Sequence, residues 1–185
     1  QRLTANRTIE SFYKWSGGGR IPIFCDTTSC THTLLFETGG DILTPENREK
    51  YKQLKIMDIT QWLKEVVLPR IKVIRPKNRI LLHPTCSCQI MGLTPVLLDI
   101  ARKCAREVIL PDNWGCCGAS GDRGFIFPEL SDSATRDERD EIGHESFDGC
   151  YSLARTCEIA MQDHIEQPYE SIVYLVDETI QDQGT

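Results

Sequence analysis

No apolar run in this chain approaches the ~20 residues that a bilayer-spanning helix needs. No lipidation motif is present either, so a helical or lipid anchor within these residues is excluded. An excess of positive charge is also missing. The 21 Lys and Arg stand against 27 Asp and Glu, a net charge of −6, and that balance argues against a nucleic-acid surface. Neither a signal peptide nor an initiator methionine opens the chain, and Gln1 enters abruptly, as in a piece of a longer polypeptide. A disulfide framework of the kind that staples small secreted domains fits poorly, because the cysteines number nine, an odd count, in 185 residues. These absences leave a cytoplasmic setting, or a peripheral one at the inner face of a membrane. They also leave reduced thiols with a metal or redox task.

Hydrophobic residues make up 40% of the chain and charged residues 26%, a globular composition with material for one domain, or one and a fragment. Everything is organised around Asn113-Trp114-Gly115-Cys116-Cys117-Gly118-Ala119-Ser120-Gly121-Asp122-Arg123-Gly124. Neighbouring Cα atoms are only ~3.8 Å apart, which suits a disulfide between the vicinal cysteines badly. Glycines let a backbone reach positive φ and approach a bound object closely. Successive amides can then face an anion. Two thiolates ringed by amide donors suit an iron–sulfur cluster, and zinc with less need of the glycines. Two buried thiols in a turn is the bland alternative.

Read in order, Ala5 to Trp15 has helical spacing and is ended by Ser16-Gly17-Gly18-Gly19. Ile21 to Cys25 reads as a short buried strand, and Asp26 to Thr31 as a turn opening a helix through Phe36. Thr38 to Lys55 reads as a polar surface excursion. Asp58 caps a helix that ends at Pro69. Arg79 to His83 is a second strand, with Pro84-Thr85-Cys86-Ser87-Cys88 at its carboxyl end. Leu93 to Cys104 is an amphipathic helix with Thr94 as N-cap and Pro95 at its first position. Glu107 to Leu110 is a third strand that leads into the vicinal-cysteine loop. Pro128 to Ile142 is a charged helix whose Arg136-Asp137-Glu138-Arg139-Asp140-Glu141 run is a solvated face. Gly149 to Ala154 is a fourth strand, Arg155 to His164 a helix, and Ile172 to Ile180 a closing helix or strand.

Strands alternating with helices imply an α/β fold with a mostly parallel sheet flanked by helices. In such sheets, sites gather beyond the carboxyl ends of the strands. Cys30, Cys86, Cys116, Cys117 and Cys157 all fall just past a strand so read. The pattern around Ile21 to Thr31 is echoed at Asp148 to Glu158, with Cys30 and Cys157 at equivalent places, as a duplicated unit would give. The four thiols Cys86, Cys116, Cys117 and Cys157 can ligate a cluster or zinc. Cys104 reads as a small buried hydrophobe. Cys25 and Cys150 also read as buried rather than functional, Cys88 as buried or as a spare ligand beside Cys86, and Cys30 as a ligand of a second site whose other members are missing. His83 either orients its loop or is an ordinary satisfied histidine. Asp122 and Arg123 can pair to fix the glycine loop.

His83-Pro84-Thr85-Cys86-Ser87, Trp114-Gly115-Cys116-Cys117-Gly118 and Arg155-Thr156-Cys157-Glu158 together resemble the cysteine-rich CCG domain. That domain occurs in heterodisulfide reductase, in the iron–sulfur protein of glycolate oxidase and in lactate-oxidising relatives. The best match is to the C-terminal part of fused FAD-binding D-2-hydroxyacid dehydrogenases. The resemblance implies the tail of a truncated first repeat at 1–37, a linker and helix at 38–78, and a complete second repeat at 79–185. It implies an iron–sulfur cluster, of 4Fe-4S type, held by Cys86, Cys116, Cys117 and Cys157, with Gly115 and Gly118 lining it and Cys30 serving the truncated repeat. The family's penultimate cysteine is Ala154 here, so its five-cysteine form is incomplete. The implied parent oxidises a 2-hydroxyacid such as D-lactate or glycolate at a flavin. Its partners are flavin and ferredoxin-like domains and a quinone or protein acceptor. This chain has no flavin fingerprint and nothing resembling a substrate base. A zinc-bound docking domain and a thiol–disulfide catalyst are the alternatives.

Overall fold

A computed structural model describes residues 1–180, so residues 181–185 of the implied second repeat lie outside the described residues. The chain falls into two units, Gln1–Trp62 and Leu63 onward, with the boundary inside the stretch 38–78.

In the first unit, α1 (Arg2–Trp15) buries Ile9, and the Ser16 hydroxyl accepts from the Gly19 amide at 2.9 Å to close the helix end. Strand β1 (Ile23–Cys25) is shorter than expected and is not buried on both faces. Among the described residues it pairs only with β2 (Ile56–Asp58), in a parallel ribbon, and Phe24 stays 46% exposed. Between them, α2 (Thr28–His32) runs on as a wide-turned stretch, Thr33–Glu37. The expected surface excursion at 38–55 contains a helix, α3 (Pro45–Gln53), which packs along α1. Thr44 caps it by accepting from the Asn47 amide at 3.3 Å, and Pro45 opens it. Its inward contact is polar, which is why apolar spacing does not reveal it. Buried Asn47 donates to Asn6 Oδ1 at 2.9 Å and to Glu10 Oε1 at 3.2 Å. Asp58 caps α4 (Ile59–Trp62) as expected, its Oδ1 accepting from the Thr60 amide and hydroxyl at 2.9 and 2.6 Å.

The second unit holds β3 (Lys77–Leu82), α5 (Cys86–Ile90), α6 (Thr94–Cys104), β4 (Ala105–Ile109) and α7 (Arg123–Ile126). It continues with α8 (Pro128–Ile142), β5 (Gly149–Ser152), α9 (Arg155–Ile165), β6 (Tyr169–Ser171) and α10 (Ile172–Thr179). The four strands form a parallel sheet in the order β4-β3-β5-β6, flanked by helices, as the alternation implied. Helices α6 and α10 pack together, with α6 against β4 and α10 against β5 and β6. In the other layer, α8 packs on α9 and α9 on β5 and β6. Register places Leu81 beside Cys150 and Cys150 beside Tyr169. All three join Met161 and Ile165 of α9 in one buried cluster that also takes in Cys117 and Cys157. Each such side chain withdrawn from water contributes about 1.5–3 kcal/mol.

Several boundaries move. Thr94 is the first residue of α6, not its cap; Leu93 holds that place and no side chain caps the end. The closing segment at 172–180 is helix α10, and the strand β6 just before it, unexpected, is too short to show a strand period. The charged run on α8 is not a uniformly solvated face, because Glu138 is buried. Among the described residues, no helix is long and apolar enough to cross a membrane.

Candidate metal centre

Three loops at the carboxyl ends of adjacent parallel strands build the site. After β3, Thr85 caps α5 by accepting from the Cys88 amide at 3.2 Å, so Cys86 begins the helix and is exposed. After β4, the chain is pinned to α8: the Asp112 and Asn113 amides donate to the two Glu141 carboxylate oxygens at 2.7 and 2.8 Å. Those amides hold the Glu141 carboxyl below its ordinary range. After β5, Leu153 and Ala154 lead into α9, and Cys157 is the third residue of that helix, buried near its positive dipole end.

The glycine loop lies flush on α8. Gly118 has φ +74°, and a Cβ there would stand 2.6 Å from the Leu130 carbonyl oxygen. At Gly124 a Cβ would stand 2.5 Å from Ser131 Oγ and 2.8 Å from Ala119 Cα. Gly115, by contrast, has open space around it. The Gly118 amide donates to Cys116 Sγ at 3.4 Å, one direct instance of the amide–sulfur contact expected of this loop.

Cys117 and Cys157 share one buried cluster, and the four thiols influence one another in sequence. Cys116 acts on the titration of Cys86 and of Cys117, and Cys157 on that of Cys117. Burial pushes the Cys86 thiol up, with the neighbouring Cys116 adding to it. The bond to Cys117 and then burial push Cys116 well above the ordinary thiol range. Cys117 is pushed up to about 12: its bond with Cys116 acts downward, but the Cys157 sulfur and burial outweigh that. Like charges this close oppose one another's ionisation, and a cation among them reverses the effect. Among the described residues, no three His, Cys, Asp or Glu side chains converge tightly enough to hold a metal ion as they stand.

The remaining predicted residues lie elsewhere. Cys30 belongs to the first unit, is exposed, and sits beside Cys25, whose thiol is pushed up by burial first and further by Cys30. Like Cys157, Cys30 is the third residue of a helix following a parallel strand, so the sequence echo has a structural counterpart. Cys104 is fully buried in α6, and Cys88 is buried in α5. Cys150 stays in β5, packed in the same cluster as Cys117 and Cys157 and pushed up to about 12 by burial. Among the described residues, no ion pair joins Asp122 to Arg123, both of them exposed. Sequence reasoning misses the two α8 carboxylates, Glu138 and Glu141, because both sit in a run that looks uniformly solvated. Spacing offers one clue: residues 131, 135, 138 and 142 share a helical face, and all are buried.

No protein-family model matches the chain, and no curated protein matches it in sequence.

Proposed function

We propose that this chain is an electron-transfer domain holding an iron–sulfur cluster of 4Fe-4S type on Cys86, Cys116, Cys117 and Cys157. The observation that carries the reading is the placement of these thiols, on three separate loops, past the carboxyl ends of adjacent parallel strands. The donor set fits the group: four soft sulfur ligands, an amide on Cys116 Sγ, and the amino end of α9 at Cys157. Such a cluster supplies a one-electron centre. The chain supplies the thiolates, the loop fixed on α8, and a partly buried setting.

The resemblance of the three motifs to CCG domains supports a wider role. On that reading the chain is the C-terminal part of an FAD-linked oxidoreductase acting on a 2-hydroxyacid such as D-lactate or glycolate. It relays electrons from a flavin domain toward a quinone or another acceptor. The FAD belongs to the parent's flavin domain. Thiol–disulfide catalysis is disfavoured, since a reactive cysteine needs a lowered pKa and Cys116 and Cys117 are both raised.

The test is iron and acid-labile sulfide content after reconstitution without oxygen, with absorbance and electron paramagnetic resonance spectra. About four iron per chain is expected for one 4Fe-4S cluster. Stoichiometric zinc with no reconstitutable iron would replace the reading with a zinc-bound docking domain.

A further inference from the structure

Helix α8 commits most of its inner edge to the core and the thiol loop. Glu138 pairs with buried His83 at 3.0 Å, and Glu141 accepts from the Asp112 and Asn113 amides. Its first turn has no such partner. There the chain runs Phe125-Ile126-Phe127-Pro128 out of α7 and into α8, and all four side chains are exposed, as is Leu130. Ile126 is 65% exposed and Phe127 51%. The large apolar side chains of this ridge present roughly 300–400 Å² to solvent, a size at which the largest patch on a monomer is often functional. A standard stable interface takes about 800 Å² from each partner, so the ridge suits a smaller occupant than a second copy of the chain.

A cleft of about 310 Å³ opens beside the ridge, between α7, α8 and α9. Phe125, Pro128 and Ala160 wall it, and Ser131 lines it with a hydroxyl that is buried and has no hydrogen-bond partner. An unpaired buried hydroxyl costs free energy that an entering polar group recovers. Asp163 and His164 stand on the α9 side. His164 engages α8, its Nδ1 3.9 Å from Asp132 Oδ1, and Asp132 is itself paired with Arg139 at 2.9 Å. Asp163 is the one carboxylate lining the cleft, and it has no ion pair among the described residues. The positive end of α8 opposes a cation here. Glu129 in that first turn, also without an ion pair among the described residues, offsets it, and Asp122 and Arg123 cancel each other at the start of α7.

We propose that this cleft and ridge dock a partner protein through a segment in which a lysine or arginine stands beside apolar residues. The basic side chain enters the cleft with its aliphatic stem along Phe125, Pro128 and Ala160. Its N–H groups donate to the Asp163 carboxylate and to Ser131 Oγ. The apolar neighbours cover Ile126 and Phe127, which a small free amine would leave in water. An anionic bilayer surface fits less well, because the unpaired Glu129 and Asp163 border the ridge. The ridge follows directly on the loop that carries Cys116 and Cys117, so a partner seated there lies next to those thiols. Docking of this kind does not depend on what the thiols hold.

The test follows the backbone amide signals of the isotope-labelled full chain by NMR as two probes are added. One is the peptide acetyl-Gly-Leu-Arg-Phe-Gly-amide; the other is butylamine, which has a cation and a stem but no apolar neighbours. The peptide should give saturable shifts at Ser131, Ala160 and Asp163 and should bind about tenfold more tightly than butylamine. Asp163→Asn, a change at an exposed position, should weaken the peptide about tenfold by removing a charge-assisted bond. Ile126→Ser combined with Phe127→Ser should weaken the peptide and leave butylamine unchanged. Glutamate in place of the peptide's arginine should abolish the shifts. The proposal is overturned if no saturable shifts arise at these amides, if the glutamate peptide binds equally, or if Asp163→Asn changes nothing. Butylamine matching the peptide would assign the cleft to a free amine. Binding to phosphatidylcholine vesicles that the double substitution abolishes would assign the ridge to a membrane. Either result overturns the partner protein.

Discussion

The α-carbon of Gly118 rests so closely on helix α8 that a methyl group added to it would stand 2.6 Å from the Leu130 carbonyl oxygen. Its φ of +74° compounds the problem, since L-residues seldom adopt that conformation. Both effects act on the loop that presents Cys116 and Cys117.

Gly118→Ala is therefore expected to destabilise the second unit by about 1–3 kcal/mol and to lower iron uptake. Gly115→Ala is the control. Its surroundings are open and its φ is not positive, so a change within about ±0.5 kcal/mol is expected. Thermal unfolding of both variants checks the pair. Equal stabilities would mean that the loop does not depend on its seat against α8.

The four-thiol assignment predicts which cysteines matter. Serine at position 86, 116, 117 or 157 should reduce bound iron. Cys104→Ser, in the core of α6, should leave iron stoichiometry unchanged at some cost in stability. Cys30→Ser should also leave it unchanged, because Cys30 belongs to the first unit and the four thiols to the second. Iron analysis on the six variants is sufficient. A loss of iron in Cys30→Ser would show that the four-thiol assignment is incomplete.

Glu138 should behave unlike its neighbours on α8. Removing one partner of a buried pair typically costs about 3–5 kcal/mol, so Glu138→Ala should lower the melting temperature by roughly 6–20 °C at 2–4 °C per kcal/mol. Asp137→Ala and Asp140→Ala, both at exposed positions, should stay within about ±0.5 kcal/mol. Denaturant unfolding of the three variants tests whether the helix has this hidden edge.

The Glu141 clamp has a pH signature. Its carboxyl is held below the ordinary range by the Asn113 and Asp112 amides. A depressed folded value means that the stabilisation is present above the unfolded value, near 4.3, and is lost as pH falls through the folded one. The Asp112 and Asn113 amide protons should report this in an NMR titration, shifting upfield only below the ordinary Glu value. Glu141→Gln should abolish the shift. A midpoint above the ordinary Glu value would contradict the clamp.

The fold and the four thiols were legible in the sequence for one physical reason: apolar strand runs and helix caps leave local signals, and cysteines placed just past strands end up at one edge of a parallel sheet. What stayed hidden was non-local or polar. Helix α3 joins α1 through Asn47, Asn6 and Glu10, so no apolar stripe marks it. Strand β6 is three residues long. The pairing of His83 with Glu138 spans 55 positions, and nothing near either residue announces the other.

Helix α8 meets the site at three heights: Leu130 and Ser131 under Gly118 and Gly124, Glu138 on His83, and Glu141 on the Asp112 and Asn113 amides. A rigid rod fastened at three points cannot be adjusted at one of them alone. Over evolutionary time its inner edge can drift only by concerted change, whereas Arg136, Asp137 and Asp140 on its outer edge can be exchanged one at a time.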